Sequence, residues 1–375
     1  MHRILSPTLV SLSTALCRAQ PGVDSFLQNY PLLCPGLKFV EIEICQSFFH
    51  PENGSTWEIP KLSQAICTHK HLESLKLSLP IDGVALGHVM LSPQLRVVSL
   101  VLHSMEPNLG NIGITSADIP FRNVKQLELF VWDFQFVPRL LRPQDQKFQA
   151  FFLHVTGLHD AKTISSLMTA LASPQRTESL QSIHLTLSDS HAPYDEYYDP
   201  VYNNSAHHYL TYDIFRPLTS FKHLRQLVIL LVNHTVLEDE ELVNLARNWP
   251  VLEAIELNGN NGNGHRVKSI TLGGLLSLLM LCPRLHDLRL SIDARDVPMK
   301  TSMDVCENKI PILRLPDSPI RDARLVADFF AKCIPSVAFI DVDFAPIPPV
   351  SPYRPLEDYE LLWDEVNEYL QGEGD

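Results

Sequence analysis

One apolar pattern recurs along almost the whole chain: an apolar residue followed by others three and five positions later. The clearest copies read LKFVEI, LESLKL, VKQLEL, LQSIHL, LEAIEL and LHDLRL. Positions three and five of each copy point to the same side of a short strand, which predicts one buried strand face per repeat. A copy occurs about every 30 residues, and the twelve copies begin at Leu9, Leu37, Leu72, Leu95, Val124, Phe148, Leu180, Leu224, Leu252, Leu285, Ile310 and Val337.

Helical patterns fill the gaps between the predicted strands. Thr271 is expected to cap one helix and Pro319 to occupy an early position of another. Prolines after the helices are interpreted as helix stops, at positions 35, 174, 250, 283 and 335. Parallel strands need crossovers, and stacked repeats bury faces that one repeat cannot. The prediction is an α/β solenoid that resembles leucine-rich-repeat proteins, a horseshoe with a parallel sheet on its concave face and helices on its convex face.

The chain is expected to divide into three parts. The solenoid is predicted for 1–344, with a Tyr- and His-rich insertion at 188–213 where one repeat is unusually long. A Pro-rich linker is predicted for 345–355, followed by an acidic C-terminal helix and tail at 356–375. We expect this helix to cap the end of the solenoid, and the alternative is that it engages a partner.

Charge and cysteine usage exclude several classes of function. The net charge of -13 opposes binding to nucleic acid or to an anionic membrane surface. Because no apolar run reaches about 18 residues, no membrane span is expected. The seven cysteines form no CxxC motif, which favours a reducing cytoplasmic or nuclear compartment over a disulfide framework. A secretory signal at the N-terminus is the alternative, but Ser and Pro interrupt its apolar stretch.

No catalytic, cofactor-binding or metal-binding residues are predicted. The sequence contains no GxSxG, HExxH or P-loop motif, and the Gly-rich stretch 257–265 is interpreted as Asn-Gly turns. In the insertion 188–213, His191, His207 and His208 lack any recurring metal-ligand spacing. The sequence therefore predicts a protein that is not an enzyme, and the alternative is a metal-dependent enzyme that uses this loop.

The segment 237–342 resembles the leucine-rich-repeat region of fungal F-box-type proteins. The similarity is carried by NWPVLEAIELNG, TLGGLLSLLMLCPRLHDLRLSIDA and DSPIRDARLVADFFAKCIPSVAFI. In that family an F-box binds a Skp-type adaptor of a cullin-RING ubiquitin ligase, and the repeats hold the substrate. This chain shows no F-box ahead of the first repeat at Leu9, and it places the Asn typical of such repeats only at Asn260. The resemblance therefore implies a Skp-type adaptor only if an F-box lies upstream.

Partner contacts are expected at the positions between the strand leucines. Positions two, four and six of each repeat point away from the core, onto the concave sheet face. Aromatic residues flanked by charges are typical of binding hot spots, and an alternative is that the insertion or the C-terminal segment covers them. The candidate partner-binding residues are Phe130, Trp132, Phe152, His154, His184, Glu256, Arg289 and Arg314. The predicted function is non-catalytic protein recognition, as a ubiquitin-ligase substrate receptor or, alternatively, as a free-standing scaffold.

Overall fold

Each apolar triplet begins a strand two residues after its first member. The computed structural model describes residues 5–16, 22–44, 58–102, 119–132, 135–141, 146–156, 159–187, 209–231, 233–257, 270–298, 305–342 and 356–372. The strands that follow the triplets are β1 (Ser11–Leu16), β2 (Phe39–Ile44), β3 (Ser74–Pro80), β4 (Val97–Leu102), β5 (Gln126–Val131), β6 (Ala150–Val155), β7 (Ser182–Leu187), β9 (Gln226–Leu230), β11 (Ala254–Leu257), β12 (Asp287–Arg289), β13 (Ile312–Arg314) and β14 (Phe339–Asp341).

These strands form one sheet in chain order, β1-β2-β3-β4-β5-β6-β7-β9-β11-β12-β13-β14. The pairings are parallel. Two further strands, β8 (Tyr209–Thr211) and β10 (His234–Val236), pair with each other in a separate parallel ladder. The predicted α/β solenoid built on a parallel sheet is confirmed.

Helices follow most strands and supply the crossovers. They are α1 (Val23–Leu33), α2 (Glu58–Thr68), α3 (Gly83–Leu91), α4 (Val137–Leu140), α5 (Ala161–Leu171), α6 (Pro174–Ser179), α7 (Tyr212–Phe215), the 3-10 helix Arg216–Ser220, α8 (Asp239–Ala246), α9 (Leu272–Leu281), α10 (Ala323–Cys333) and α11 (Leu356–Gln371). Across the described ranges, none of them combines the length and the apolar character that crossing a bilayer requires.

The chain divides into two compact units, which are described separately. The first comprises Met1–Gly157, Ser173–Leu180 and Thr186–Tyr194. The second comprises Leu158–Ala172, Gln181–Leu185 and Asp195–Asp375. Statements about these units concern their described residues alone. The predicted linker 345–355 and most of the insertion 188–213 lie outside the described residues, so the three-part division of the chain stays a prediction.

Side chains alternate along β5 and β6 as the triplets predict, whereas β4 is buried from Val98 to Leu102. In β5, Leu127 and Leu129 are fully buried, whereas Gln126, Glu128 and Phe130 between them are half-buried. The same alternation in β6 buries its leucine-type positions and leaves every second residue partly exposed. The leucines therefore hold the core, and the residues between them form the outer surface of the sheet, called the sheet face below.

Four of the recurring prolines follow a helix, as predicted, and lie in the turn that leads to the next strand. The backbone N–H of the first triplet residue donates to the carbonyl three residues earlier, for example from Leu285 to Cys282 at 3.0 Å. Proline occupies the second position of such turns, where its fixed φ is favourable. This holds for Pro35, Pro250, Pro283 and Pro335. Pro174 differs, because it is the first residue of α6.

Helix caps agree with the sequence in one case and disagree in another. Thr271 caps α9 as predicted, and its hydroxyl accepts from the N–H groups of Gly273 and Gly274. The prediction for Pro319 is wrong, since α10 begins at Ala323 after the N-cap Asp322. The Asp322 carboxylate accepts from a backbone N–H of the first turn, which Pro319 cannot do.

Adjacent repeats are joined by one backbone carbonyl that accepts two N–H groups. The carbonyl of Val10 accepts from Lys38 at 2.8 Å and from Phe39 at 3.1 Å. The residue just after the start of a triplet supplies this carbonyl in other repeats as well. These residues include Lys38, Glu73, Arg96 and Lys125 in the first unit, and Gln181, Arg225, Glu253 and Pro311 in the second.

The last strand of the sheet is closed by a side chain instead of another strand. Asn367 of α11 accepts from the N–H of Ile340 at 2.8 Å and donates to the Ile340 carbonyl at 2.9 Å. The indole N–H of Trp363 donates to the Ser318 carbonyl at 2.8 Å, and Trp363 is fully buried. Thus α11 packs on α10 and β14 and completes the hydrogen bonding of β14 at Ile340.

Replacing Asn367 with Ala tests this closure. The change leaves two backbone groups of Ile340 buried without partners, which we expect to lower the free energy of unfolding by about 1–3 kcal/mol. Urea denaturation measures the loss, and hydrogen exchange should show faster exchange at the Ile340 amide. Glu368→Ala, an exposed neighbour on α11, serves as the control. Equal effects of the two substitutions would contradict the closing role of Asn367.

A second prediction concerns Gly274, which allows α9 to approach Asp239. The Asp239 carboxylate accepts from the backbone N–H of Thr271 at 2.7 Å and from its hydroxyl at 2.6 Å. A Cβ at position 274 would collide with that carboxylate, whereas one at Gly273 would make ordinary contacts, the nearest at 3.4 Å.

We therefore expect Gly274→Ala to lower the free energy of unfolding by about 1–3 kcal/mol through overpacking. Gly273→Ala is the matched control, and it should be neutral or stabilising because Ala favours helix more than Gly. Thermal and urea unfolding of both variants check the prediction. A stabilising Gly274→Ala would show that α9 does not depend on this close approach.

Candidate functional site

The strand register assembles the fourth positions of the repeats into a row within each unit. In the first unit the row is Ser13, Glu41, Lys76, Ser99, Glu128 and Phe152. In the second unit it is Val228, Glu256, Arg289, Arg314 and Asp341. Two members of these rows were expected to be exposed but are buried. They are Ser99, at 6% exposure, and Val228, at 7%. Ser99 is a short side chain between the longer Lys76 and Glu128.

The first unit carries a cluster that we call the aromatic patch, consisting of Glu128, Phe130, Phe152 and His154. Phe130 and His154 are register partners on β5 and β6, and their rings stack with centroids 4.3 Å apart and planes 14° apart. Phe152 is the register partner of Glu128 in the row beside them. The structure thus brings together three of the predicted aromatic and histidine residues around a carboxylate.

Two hydrogen bonds fix the orientation of the His154 ring. Its Nε2 lies 3.1 Å from Glu128 Oε1, and its Nδ1 lies 2.8 Å from Thr186 Oγ1. An ionised carboxylate only accepts, so Nε2 carries the proton and donates to Glu128. The Thr186 hydroxyl then donates to Nδ1 of the neutral ring or accepts from the protonated ring. The ring is therefore held in one position in either protonation state.

The Glu128 carboxyl is stabilised in its ionised form. The hydrogen bond from His154 is the main cause that lowers the pKa of Glu128, and a hydrogen bond from Ser99 adds to it, while partial burial opposes both. The side chains of Glu128 and His154 remain about one-quarter exposed, at 25% and 23%. A fixed negative charge thus lies at the surface of the aromatic patch.

Trp132 and His184 lie in different surroundings. Trp132 is half-buried one residue beyond the end of β5. His184 belongs to the second unit, where its Nε2 lies 3.2 Å from Gln226 Oε1. The Ser182 hydroxyl donates to the same oxygen at 3.1 Å. Gln226 was not predicted, although its place at the second position of a repeat marks it as a sheet-face residue.

The second unit also carries a charged cluster, called the charged patch, consisting of Glu256, Asp287, Arg289 and Arg314. Arg314 Nη2 lies 3.2 Å from Glu256 Oε1 and 2.5 Å from Asp287 Oδ1. Arg289 lies between Glu256 and Arg314 in the strand register. Asp287 was not among the predicted binding residues, and the LHDLRL triplet places it at a second position. Because Arg314 pairs with both carboxylates, much of the charge in this patch is satisfied within the protein.

Two observations on the described residues concern metal binding and thiol chemistry. Within the described ranges, no three His, Cys, Asp or Glu residues cluster in a way that could hold a metal ion. His191, His207 and His208 lie outside the described residues. Burial raises the pKa of the Cys282 thiol to about 12 and also raises that of Cys333. These cysteines are therefore protonated and poor nucleophiles at neutral pH.

Comparison with protein-family models finds no match, and neither does comparison with curated proteins. Among solved structures, the chain is similar to the crystal structure of the yeast Rad7 and Elc1 complex. The two are 14% identical, the match covers 89% of this chain and 79% of that one, and the TM-score is 0.42. A similarity of this size transfers no function, so the functional argument depends on the side chains of the two patches.

The bond between His154 and Glu128 predicts a pH dependence. Because the folded state lowers the pKa of Glu128, this carboxyl stabilises the fold above its unfolded pKa of about 4.3. That contribution is lost as the pH falls through the lower, folded pKa. NMR titration of the Glu128 carboxyl should place its pKa below the usual value, and His154→Phe should raise it.

Unfolding measurements provide an independent check of this linkage. The stability difference between the wild type and Glu128→Gln should be largest near neutral pH and should shrink below about pH 4. Glu360→Gln, an exposed residue of α11, is the control for the loss of one negative charge. A difference that stays constant with pH, or a Glu128 pKa at or above its usual value, would contradict the assigned hydrogen bond.

Proposed function

We propose that this chain is a non-catalytic protein-recognition module that binds a protein partner on its sheet face. The observation that carries the proposal is the Phe130–His154 stack, which hydrogen bonds to Glu128 and Thr186 hold in place. Aromatic side chains with one fixed orientation lose little conformational freedom on binding, and such residues dominate protein interfaces. The proposal covers the predicted contacts Phe130, Trp132, Phe152 and His154 in the first unit, and His184, Glu256, Arg289 and Arg314 in the second.

The geometry of the surface favours a protein over a small molecule. Small ligands are usually enclosed in pockets that bury most of their surface, whereas the residues of the aromatic patch lie side by side on the surface of a sheet. A cavity of about 410 Å³ does occur beside α3, lined by residues that include Lys70, Val84, His88 and Leu91. None of its lining residues belongs to the sheet face, so it offers no support for a small-molecule site there.

The finer proposal is that this recognition serves a ubiquitin ligase, with the chain as substrate receptor. Its support is the resemblance of 237–342 to the repeats of fungal F-box-type proteins. In that case the partner on the sheet face is the substrate, and a Skp-type adaptor is bound elsewhere. The alternative is a free-standing scaffold that has the same binding face and no connection to ubiquitin.

The double substitution Phe152→Ala and His184→Ala tests the binding face. Proteins captured by the wild-type chain should be depleted at least about tenfold with the variant, because interface aromatics commonly contribute more than 1 kcal/mol each. Affinity capture with quantitative mass spectrometry measures this depletion. The control double variant is Leu32→Ala with His223→Ala, two exposed residues outside the sheet face. Unchanged capture by the first variant, with its thermal unfolding also unchanged, would contradict the proposal.

Co-purification distinguishes the ligase role from the scaffold role. The protein is expressed from its natural gene, tagged at the C-terminus, and isolated from its own cells. A stoichiometric Skp-type adaptor in the purified material is the expected result for a substrate receptor. If no adaptor is present while sheet-face partners are retained, the ligase role is wrong and the scaffold role stands.

A further inference from the structure

Glu128 has unused capacity to accept hydrogen bonds. A carboxylate offers about four acceptor sites, and His154 and Ser99 account for two of them. The Glu128 side chain is 25% exposed, so a donor from another molecule can reach it. The carboxylate is ionised at neutral pH, and its lowered pKa keeps it ionised to a lower pH than an ordinary glutamate. A cationic donor binds such a site more strongly than a neutral donor, because hydrogen bonds between two charged groups are stronger than those between neutral groups.

Aromatic rings flank this carboxylate. Phe152 is its register partner on the neighbouring strand, and Phe130 lies two residues further along β5. Neighbouring strands lie about 4.8 Å apart, and an ammonium or guanidinium group interacts with a ring face within about 6 Å of its centroid. A cation bound to the Glu128 carboxylate is therefore within reach of at least one ring. Lysine and arginine side chains combine such a cation with an apolar stem that packs on aromatic surface.

The charges around Glu128 leave it available to a partner. Lys76 lies two strands away in the same row, and its charge contributes to the lowered pKa of Glu128, but its ion pair is with Glu41, whose Oε1 lies 3.6 Å from Lys76 Nζ. The described sheet face of the first unit carries Glu41, Glu43 and Glu128 against Lys76, and the whole chain has a net charge of -13. This balance attracts basic partners and repels acidic ones.

We infer that the aromatic patch recognises a lysine or arginine side chain of the protein partner, with Glu128 as the anionic contact and Phe152 as the flanking ring. The inference rests on the proposed function, because it specifies the partner chemistry for the same face. The carboxylates of the charged patch in the second unit are less available to a cation from a partner, because Glu256 and Asp287 already form ion pairs with Arg314.

A random dodecapeptide library displayed on phage, selected against the complete chain, tests this inference. Selected peptides should be enriched in lysine or arginine, and fluorescence polarisation gives their dissociation constants. Acetylating the lysine, or replacing the arginine with citrulline, should weaken binding to the wild type about tenfold or more. Glu128→Gln should weaken the charged peptide similarly and should no longer discriminate it from the neutral analogue. Such a double-mutant cycle isolates the pairwise contact.

Two controls give each result a definite meaning. Glu360→Gln removes the same charge from α11, outside the sheet face, and should leave discrimination intact. Thermal unfolding confirms that the variants are folded. If peptides bind through Phe152 and His184, but Glu128→Gln still discriminates the charged form, the inference is wrong and the proposed function stands. If selection yields no peptide that depends on Phe152 or His184, both are wrong.

Discussion

The paired N–H groups that converge on one carbonyl between most neighbouring repeats set the geometry of the sheet. In the first unit, the carbonyl of Lys38 accepts from Glu73 and Ser74, and the same arrangement recurs in its neighbours. It fixes the register before each strand begins, so equivalent positions of successive repeats lie side by side. A one-residue slip would move every leucine to the outer face. The rows on the sheet face, and hence both patches, depend on this register.

The strands could be predicted from the sequence because the apolar triplet encodes burial in every repeat. Each described strand of the main sheet begins two residues after its triplet, even where the pattern is weakest, at Leu9 and Phe148. The first residues of the helices could be predicted less well from the sequence. Periodicity reports which face of a helix is buried, but it does not identify the N-cap residue, which in α10 is Asp322, whose carboxylate accepts from the Leu325 N–H.

The positions of the site residues could be predicted, but their partners could not. Counting from the triplets places Phe130 and His154 on the outer face. Their stacking, and the bond from His154 to Glu128, depend on side-chain rotamers and on which strands are neighbours. The same limit explains why the hydrogen bond of Gln226 to His184 and the ion pair of Asp287 with Arg314 were not predicted, since each contact joins adjacent strands. Such contacts between strands cannot be predicted from the composition or from the spacing of the repeats.

Asn367 has a consequence for self-association of the protein. An open edge of a parallel sheet can serve as a template on which further chains add strands, which is a common route to fibres. At β14 the side-chain amide of Asn367 pairs with the backbone N–H and C=O of Ile340, as a neighbouring strand would. It offers no backbone groups with which a strand of another molecule could pair. A single side chain thus acts as a terminator of polymerisation at this end of the sheet.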